Sequence, residues 1–209
     1  MLSCDNPNCC HSCDTASSGQ AHWDLIMLEL VHFLNNILGT VSGNAELLSL
    51  LELGSGPGFL ALHILTRRPG IDYTLLDFSP AMHTLAQRRL EIVDGAAVKY
   101  IECDFKANGW TVGLGQYGAV LSNQAVHELR HKRYAQDFFV QVRSLLKPRG
   151  ILLFCDHYCG EGGVSNDQLY MNLEEQRAVL RGAGFKAVEV LVKGGRALYC
   201  ARLESKGSE

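Results

Sequence analysis

Apolar and polar positions along this chain change period near residue 47. From His22 to Leu38, Trp23, Ile26, Met27, Leu30, Val31, Leu34 and Leu38 recur at helical spacing, which predicts an amphipathic helix. Beyond it, short unbroken apolar runs alternate with helical stretches. LLSLLEL (47–53) predicts a buried strand that enters the glycine loop GSGPG, followed by a helix over 59–68. YTLLD (73–77) predicts a second strand, with Ser79 as N-cap and Pro80 as first residue of the next helix. VKYIECD (98–104), GQYGAVLSN (115–123) and LLFCD within 146–156 predict three more strands, with a helix from Arg133 to Leu146 between the last two. A helix follows through Asn172 to Gly182, stopped by Ala183-Gly184. KAVEVLVK (186–193) and RALYCARL (196–203), joined by Gly194-Gly195, predict a terminal hairpin.

Buried strands alternating with helices imply an α/β fold: a Rossmann-like, doubly wound, seven-stranded, mostly parallel sheet with a reversed C-terminal hairpin. The expected organisation is a flexible Cys-rich arm (1–20), an N-terminal helical cap (21–46), one ligand-binding domain (47–203) and a disordered tail (204–209). Composition agrees with one buried core: 47% of the 209 residues are hydrophobic and 20% charged, too apolar for a disordered chain. The net charge of -3 gives no electrostatic case for nucleic acid or an anionic membrane. The chain starts MLSCDNPNCCHSCD, without the basic and apolar regions of a signal peptide, and no 18-residue apolar stretch follows. With the scattered cysteines in apolar runs, the expectation is a reducing, cytoplasmic protein.

Ligands of doubly wound sheets bind beyond the carboxyl ends of the strands, so the residues that follow each strand carry the chemistry. After the first come Glu52-Leu53-Gly54-Ser55-Gly56-Pro57-Gly58. A dinucleotide fingerprint needs G-x-G-x-x-G, which would put glycine where Phe59 stands, and no Gly-Lys-Ser/Thr of a P-loop follows. An oxidoreductase and a nucleotide triphosphatase are both disfavoured. After the second strand, Asp77 has the position and chemistry to hold a ribose diol, with a charge at a helix N-terminus as the alternative. After the third, Asp104 can accept from an adenine amino group. The backbone N–H of Phe105 can reach a ring nitrogen, and Phe78 or Phe105 can lie on the adenine face.

ELGSGPG (52–58), LLDFSP (75–80), ECDF (102–105), YGAVLSNQAVHEL (117–129) and LLKPRGILLFCD (145–156) resemble, in order and spacing, the successive motifs of class I S-adenosylmethionine-dependent methyltransferases. The resemblance spans about Leu47 to Leu203 and does not reach a subfamily. It implies transfer of a methyl group by direct displacement from S-adenosyl-L-methionine, with S-adenosyl-L-homocysteine as product. It places Glu52, Gly54, Ser55, Gly56 and Gly58 around the methionine and ribose parts, Asp77 at the ribose, Asp104 at the adenine and Asn123 near the sulfonium.

On the acceptor side, His127 is the candidate general base, the alternative being a histidine that only orients its loop. Asp156, His157 and Tyr158 are candidates to line the same pocket. Nucleic-acid amino-methylating enzymes usually carry Asn/Asp/Ser-Pro-Pro-aromatic where this chain has Ser122-Asn123-Gln124-Ala125, so no nucleic-acid partner is expected. The acidic pair of metal-dependent catechol enzymes is not recognisable, so no catalytic metal is expected. A small-molecule acceptor leads, with a protein side chain behind it and the acceptor atom open. A non-catalytic cofactor-binding or metal-sensing protein on the same fold is the rival.

Cys4, Cys9, Cys10, His11 and Cys13 stay outside this scheme. They include a Cys-x₂-Cys pair, but zinc sites normally join two pairs a dozen or more residues apart. Ala16 breaks a radical-type Cys-x₃-Cys-x₂-Cys pattern. A redox-sensitive arm and a metal site both remain open.

Overall fold

The structure, a computed structural model, describes residues 49–193 and 195–203. The expected arm, helical cap and tail, and Gly194 of the hairpin link, lie outside the described residues. The strands are β1 (Ser49–Leu53), β2 (Asp72–Asp77), β3 (Val98–Glu102), β4 (Tyr117–Asn123), β5 (Leu146–His157), β6 (Lys186–Lys193) and β7 (Arg196–Arg202). They form one sheet in the order β3-β2-β1-β4-β5-β7-β6. β1 lies parallel to both β2 and β4, β2 pairs with β3 and β4 with β5 in parallel, and β7 is antiparallel to β5 and β6. The strand order reverses between β1 and β4, so their carboxyl ends flank the crevice where such folds take ligands.

Four helices connect these strands: α1 (Phe59–Leu65), α2 (Pro80–Leu90), α3 (Ala135–Ser144) and α4 (Leu173–Gly182). Sequence chemistry sets their starts. Ser79 caps α2 through Met82 N with Pro80 in the first turn, and Asn172 and Glu175 close a capping box on α4. Several boundaries differ from expectation. α1 stops at Leu65 because the N–H groups of Arg67 and Arg68 both fold back to Ile64 O. β3 stops at Glu102 because Asp104 turns the chain by accepting from Lys106 N at 2.9 Å. The expected helix from Arg133 opens as a separate 3-10 turn (Lys132–Tyr134), capped by His131 Nδ1 on Arg133 N, before α3 begins. The segment Lys147-Pro148-Arg149-Gly150, expected as a turn, lies within β5, where the β4–β5 register shifts between Tyr117 and Ala119.

Alternation along β1 assigns the two faces of the sheet. Leu51 and Leu53 join the large core shared with Phe138, Phe139, Phe154 and Tyr199. Successive ring centroids there lie 5.3, 5.0 and 5.9 Å apart. Glu52 points to the opposite side, where Tyr73 of β2 meets it. This core fixes the strand ends, and with them the loops that carry the site.

Candidate active site

The glycine loop after β1 is a sharp, left-handed ribbon. Gly54, Gly56 and Gly58 have φ of +66°, +52° and +77°, values that side-chain-bearing residues rarely adopt. Each glycine has its own neighbourhood. A Cβ on Gly54 would lie 2.4 Å from Ala125 Cβ, and one on Gly58 would press on Ala86 at 3.0 Å. A Cβ on Gly56 would meet nothing within 4 Å among the described residues, so none of them crowds the middle of the loop.

Asp77 locks this loop to the end of β2. Its carboxylate is buried and accepts from Gly56 N at 2.8 Å and from Ser79 N at 2.9 Å. The same carboxylate thus shapes the cradle and starts α2. The backbone carbonyl of Asp77 accepts from Cys103 N at 3.0 Å and faces His83 Nε2 at 3.2 Å, which ties in the end of β3.

Glu52, expected beside the methionine and ribose parts of the ligand, has a partner within the sheet. It is 3% exposed, and its carboxyl accepts from Tyr73 OH at 2.9 Å beneath the loop. Burial, with the charge of Asp77 adding to it, pushes its pKa up to about 8. Phe105 also turns inward. Its ring packs edge-on against Trp110 and Phe138, with centroids at 6.4 and 5.3 Å. The ring with a free face is Phe78, 60% exposed, with Lys106 Nζ 5.8 Å from its centroid. Asp104 is half-exposed at the same end of the sheet and faces Lys106 Nζ at 3.8 Å. Asn123 ends β4, next to the crevice.

His127 lies in a 3-10 turn (Val126–Leu129) just past β4. Its Nδ1 is 2.9 Å from Asp156 Oδ1, at the carboxyl end of β5, and its backbone N–H donates to Asp156 Oδ2 at 3.1 Å. Asp156 is buried and accepts a further bond from His157 N at 2.8 Å. Because a carboxylate only accepts, Nδ1 of neutral His127 carries the proton and Nε2 keeps its lone pair. The hydrogen bond to Asp156 raises the His127 pKa above its ordinary value, against the opposing effect of burial. Burial, reinforced by the Arg196 charge, moves His157 the other way. Tyr170 closes the group, its ring centroid 5.5 Å from His127 and 5.7 Å from His157. Gln176 of α4 lies behind, donating to His157 O at 2.9 Å. A small pocket runs between the His127–Asp156 pair, Tyr170, Met171 and Gln176.

The structure therefore gathers Gly54, Ser55, Gly56, Gly58, Asp77 and Phe78 into one cradle, and His127 with Asp156 and His157 into a second group. The sequence held no signal for Tyr170 or Gln176, nor for Asp156 as the partner of His127. Those contacts join elements that are distant along the chain. Among the described residues no three His, Cys, Asp or Glu side chains gather as a metal site would need. No helix among them is long and apolar enough to cross a membrane.

Comparison with known proteins agrees with this geometry. Residues 51–152 match the family described as a methyltransferase domain. A stretch of 130 residues, 60% of the chain, is 27% identical to a non-reducing polyketide synthase of Penicillium brasilianum, of which it spans 5%. Another of 112 residues is 25% identical to the malonyl-[acyl-carrier protein] O-methyltransferase of a Paenibacillus species, covering 54% of this chain and 40% of that protein. The fold superposes on an O-methyltransferase family protein from Burkholderia thailandensis with a TM-score of 0.66 at 20% identity, over 88% of this chain and 60% of that one. It superposes on the magnesium protoporphyrin IX methyltransferase of Synechocystis, solved with bound S-adenosylmethionine, with a TM-score of 0.60 at 17% identity, over 85% and 81% of the two chains. Residues 51–152 are thus similar to a methyltransferase domain, and the seven-stranded fold is one shared with solved methyltransferases.

Proposed function

We propose that this protein transfers the methyl group of S-adenosyl-L-methionine to a small-molecule acceptor that must lose a proton as it reacts, with His127 as general base. The observation that carries this reading is the His127–Asp156 pair, 2.9 Å apart at the ends of adjoining strands and next to the crevice between β1 and β4. The polyketide synthases and the malonyl-[acyl-carrier protein] O-methyltransferase among the similar proteins support an acceptor with a removable proton.

The cradle fits the cofactor. The ligand carries no phosphate, so a loop without a lysine suits it, and Gly56, uncrowded by the described residues, admits close backbone approach. Two buried hydroxyl oxygens at the crevice, Ser55 Oγ and Ser122 Oγ, have no hydrogen-bond partner among the described residues and are available to a bound polar group. In this reading Gly54, Ser55, Gly56 and Gly58 receive the methionine and ribose parts and Asp77 accepts from the ribose diol. Asp104 and the backbone of Phe105 meet the adenine, Phe78 covers its face, and Asn123 borders the sulfonium. Glu52 supports the loop from below through Tyr73 rather than by direct contact.

The cofactor supplies a methyl group already activated by positive sulfur. What remains for the protein is alignment of the acceptor with that methyl, exclusion of water, and removal of the acceptor proton. His127 Nε2 takes the proton, while Asp156 fixes the tautomer and stabilises the imidazolium that forms. Tyr170 and His157 pack beside the imidazole, with ring centroids 5.5 and 6.2 Å away. Isothermal titration with S-adenosylhomocysteine tests the cofactor half, and no binding would end this reading. A panel of phenols, 1,3-dicarbonyls, carboxylic acids and amines with radiolabelled S-adenosylmethionine tests the acceptor half. Transfer to acceptors with a removable proton is expected, and His127→Ala abolishes it.

A further inference from the structure

Helix α2 carries a feature that the cofactor contacts above do not use. His83, Ala86 and Arg89 recur every three residues and share one face, and each meets a different part of the cradle from behind. His83 is buried, and its Nε2 lies 3.2 Å from Asp77 O and 3.1 Å from Ile101 O, so it bridges the carboxyl ends of β2 and β3. Ala86 is small enough for Gly58 to pass directly over it. Arg89 donates through Nη1 to Pro57 O, and its guanidinium lies over the Phe59 ring, 3.8 Å from the centroid.

We propose that this face of α2 is the positioning element for the cofactor loop and that Arg89 is its principal positioning residue. The loop contains three glycines with positive φ, so it has more conformational freedom to lose than any other segment of the site. Asp77 pins it at Gly56. Leu76 O holds the earlier part of the loop, at Gly54 N and Ser55 N (2.8 and 3.1 Å), so the stretch left to pivot beyond Gly56 is Pro57 to Phe59. Arg89 provides the anchor, and it reaches from the same helix whose entrance Asp77 sets. The stack also gives a physical role to Phe59, the residue that breaks the dinucleotide fingerprint. A glycine there would leave the guanidinium with no ring to rest on. The consequence is a loop held in its receiving shape before the ligand arrives, so that less ordering remains at binding.

This inference rests on the cofactor assignment above, and its test separates the two. Arg89→Ala, Arg89→Lys and the neighbouring Arg88→Ala are compared with wild type in two measurements. One is the dissociation constant for S-adenosylhomocysteine. The other is hydrogen–deuterium exchange of the peptide spanning residues 54–60 in the ligand-free protein. Arg89→Ala is expected to weaken binding about three- to tenfold, the size of an added loop-ordering cost. It also accelerates exchange of that peptide, while the melting temperature stays near wild type. Arg89→Lys keeps a donor but loses the planar stack, so it falls between the two. Arg88→Ala behaves as wild type. Unchanged affinity in Arg89→Ala overturns the inference, and so does weaker binding without faster exchange, which would mean direct ligand contact. If the wild type binds no S-adenosylhomocysteine, the cofactor assignment fails, and the exchange comparison still decides whether Arg89 holds the loop.

Discussion

Replacing Asp156 by asparagine probes the acceptor chemistry at its centre. The carboxylate accepts three hydrogen bonds, from His127 Nδ1, His127 N and His157 N, at 2.9, 3.1 and 2.8 Å. It is nearly inaccessible, with 4% side-chain exposure, so water cannot substitute for it. The asparagine is isosteric but has one acceptor atom and one donor. Its amide N–H₂ faces either His127 Nδ1 or a backbone N–H, so the imidazole flips tautomer or two donors confront each other. In the flipped tautomer Nε2 carries the proton and cannot act as a base. General-base catalysis is worth roughly 10²- to 10⁴-fold, or about 3–5 kcal/mol of barrier, and most of it should vanish. Loss of the negative charge also lowers the His127 pKa, because that hydrogen bond is the main cause raising it. A base works in its neutral form, so the wild-type rate rises as pH climbs through a His127 pKa above the ordinary 6.5, and in the variant any residual rising limb moves to lower pH. The assay is kcat for an acceptor identified from the panel, measured across pH, with S-adenosylhomocysteine affinity as the control. Cofactor affinity should stay within about twofold, because Asp156 is not among the residues lining the cradle. An Asp156→Asn enzyme that kept more than half of wild-type kcat would refute the dyad.

Three further predictions concern the cradle. Asp77→Ala removes the acceptor of Gly56 N and Ser79 N as well as the proposed ribose contact, and should weaken S-adenosylhomocysteine binding by about 1–3 kcal/mol in a calorimetric titration. Gly54→Ala and Gly56→Ala should separate: both carry a left-handed backbone cost of about 1–2 kcal/mol. Only Gly54→Ala adds a clash, with Ala125 at 2.4 Å, so it should have the lower melting temperature, whereas Gly56→Ala stays folded and loses cofactor affinity. Glu52→Gln tests the buried acid through chemical denaturation at several pH values. The folded-state pKa of about 8 lies above the ordinary 4.5, so the native protein binds the extra proton. Wild-type stability should therefore fall as pH rises from 4.5 toward 8, and the Gln variant should lack that decline.

The sequence alone determined the order of strands and helices, because each buried strand is an unbroken apolar run and each helix start carries its own chemistry, as at Ser79-Pro80 and Asn172. It also determined the glycine loop and Asp77, because positive φ and a strand-end carboxylate are local requirements that residue type reveals. It pointed to His127 but not to the buried carboxylate that makes the histidine a plausible base. Asp156 lies 29 residues away and meets it only because β4 and β5 are neighbours in register. Tertiary packing also decided which aromatic ring is free. Phe78 and Phe105 each follow an aspartate, at the end of β2 and just past β3, yet the core claims Phe105 and leaves Phe78 exposed. The same holds for Glu52, whose partner Tyr73 is seen only across the β1–β2 pair. Local residue type therefore fixes backbone shape and the identity of reactive groups. Their pairing and burial depend on contacts between strands and helices distant in the chain, and only the folded sheet brings those together.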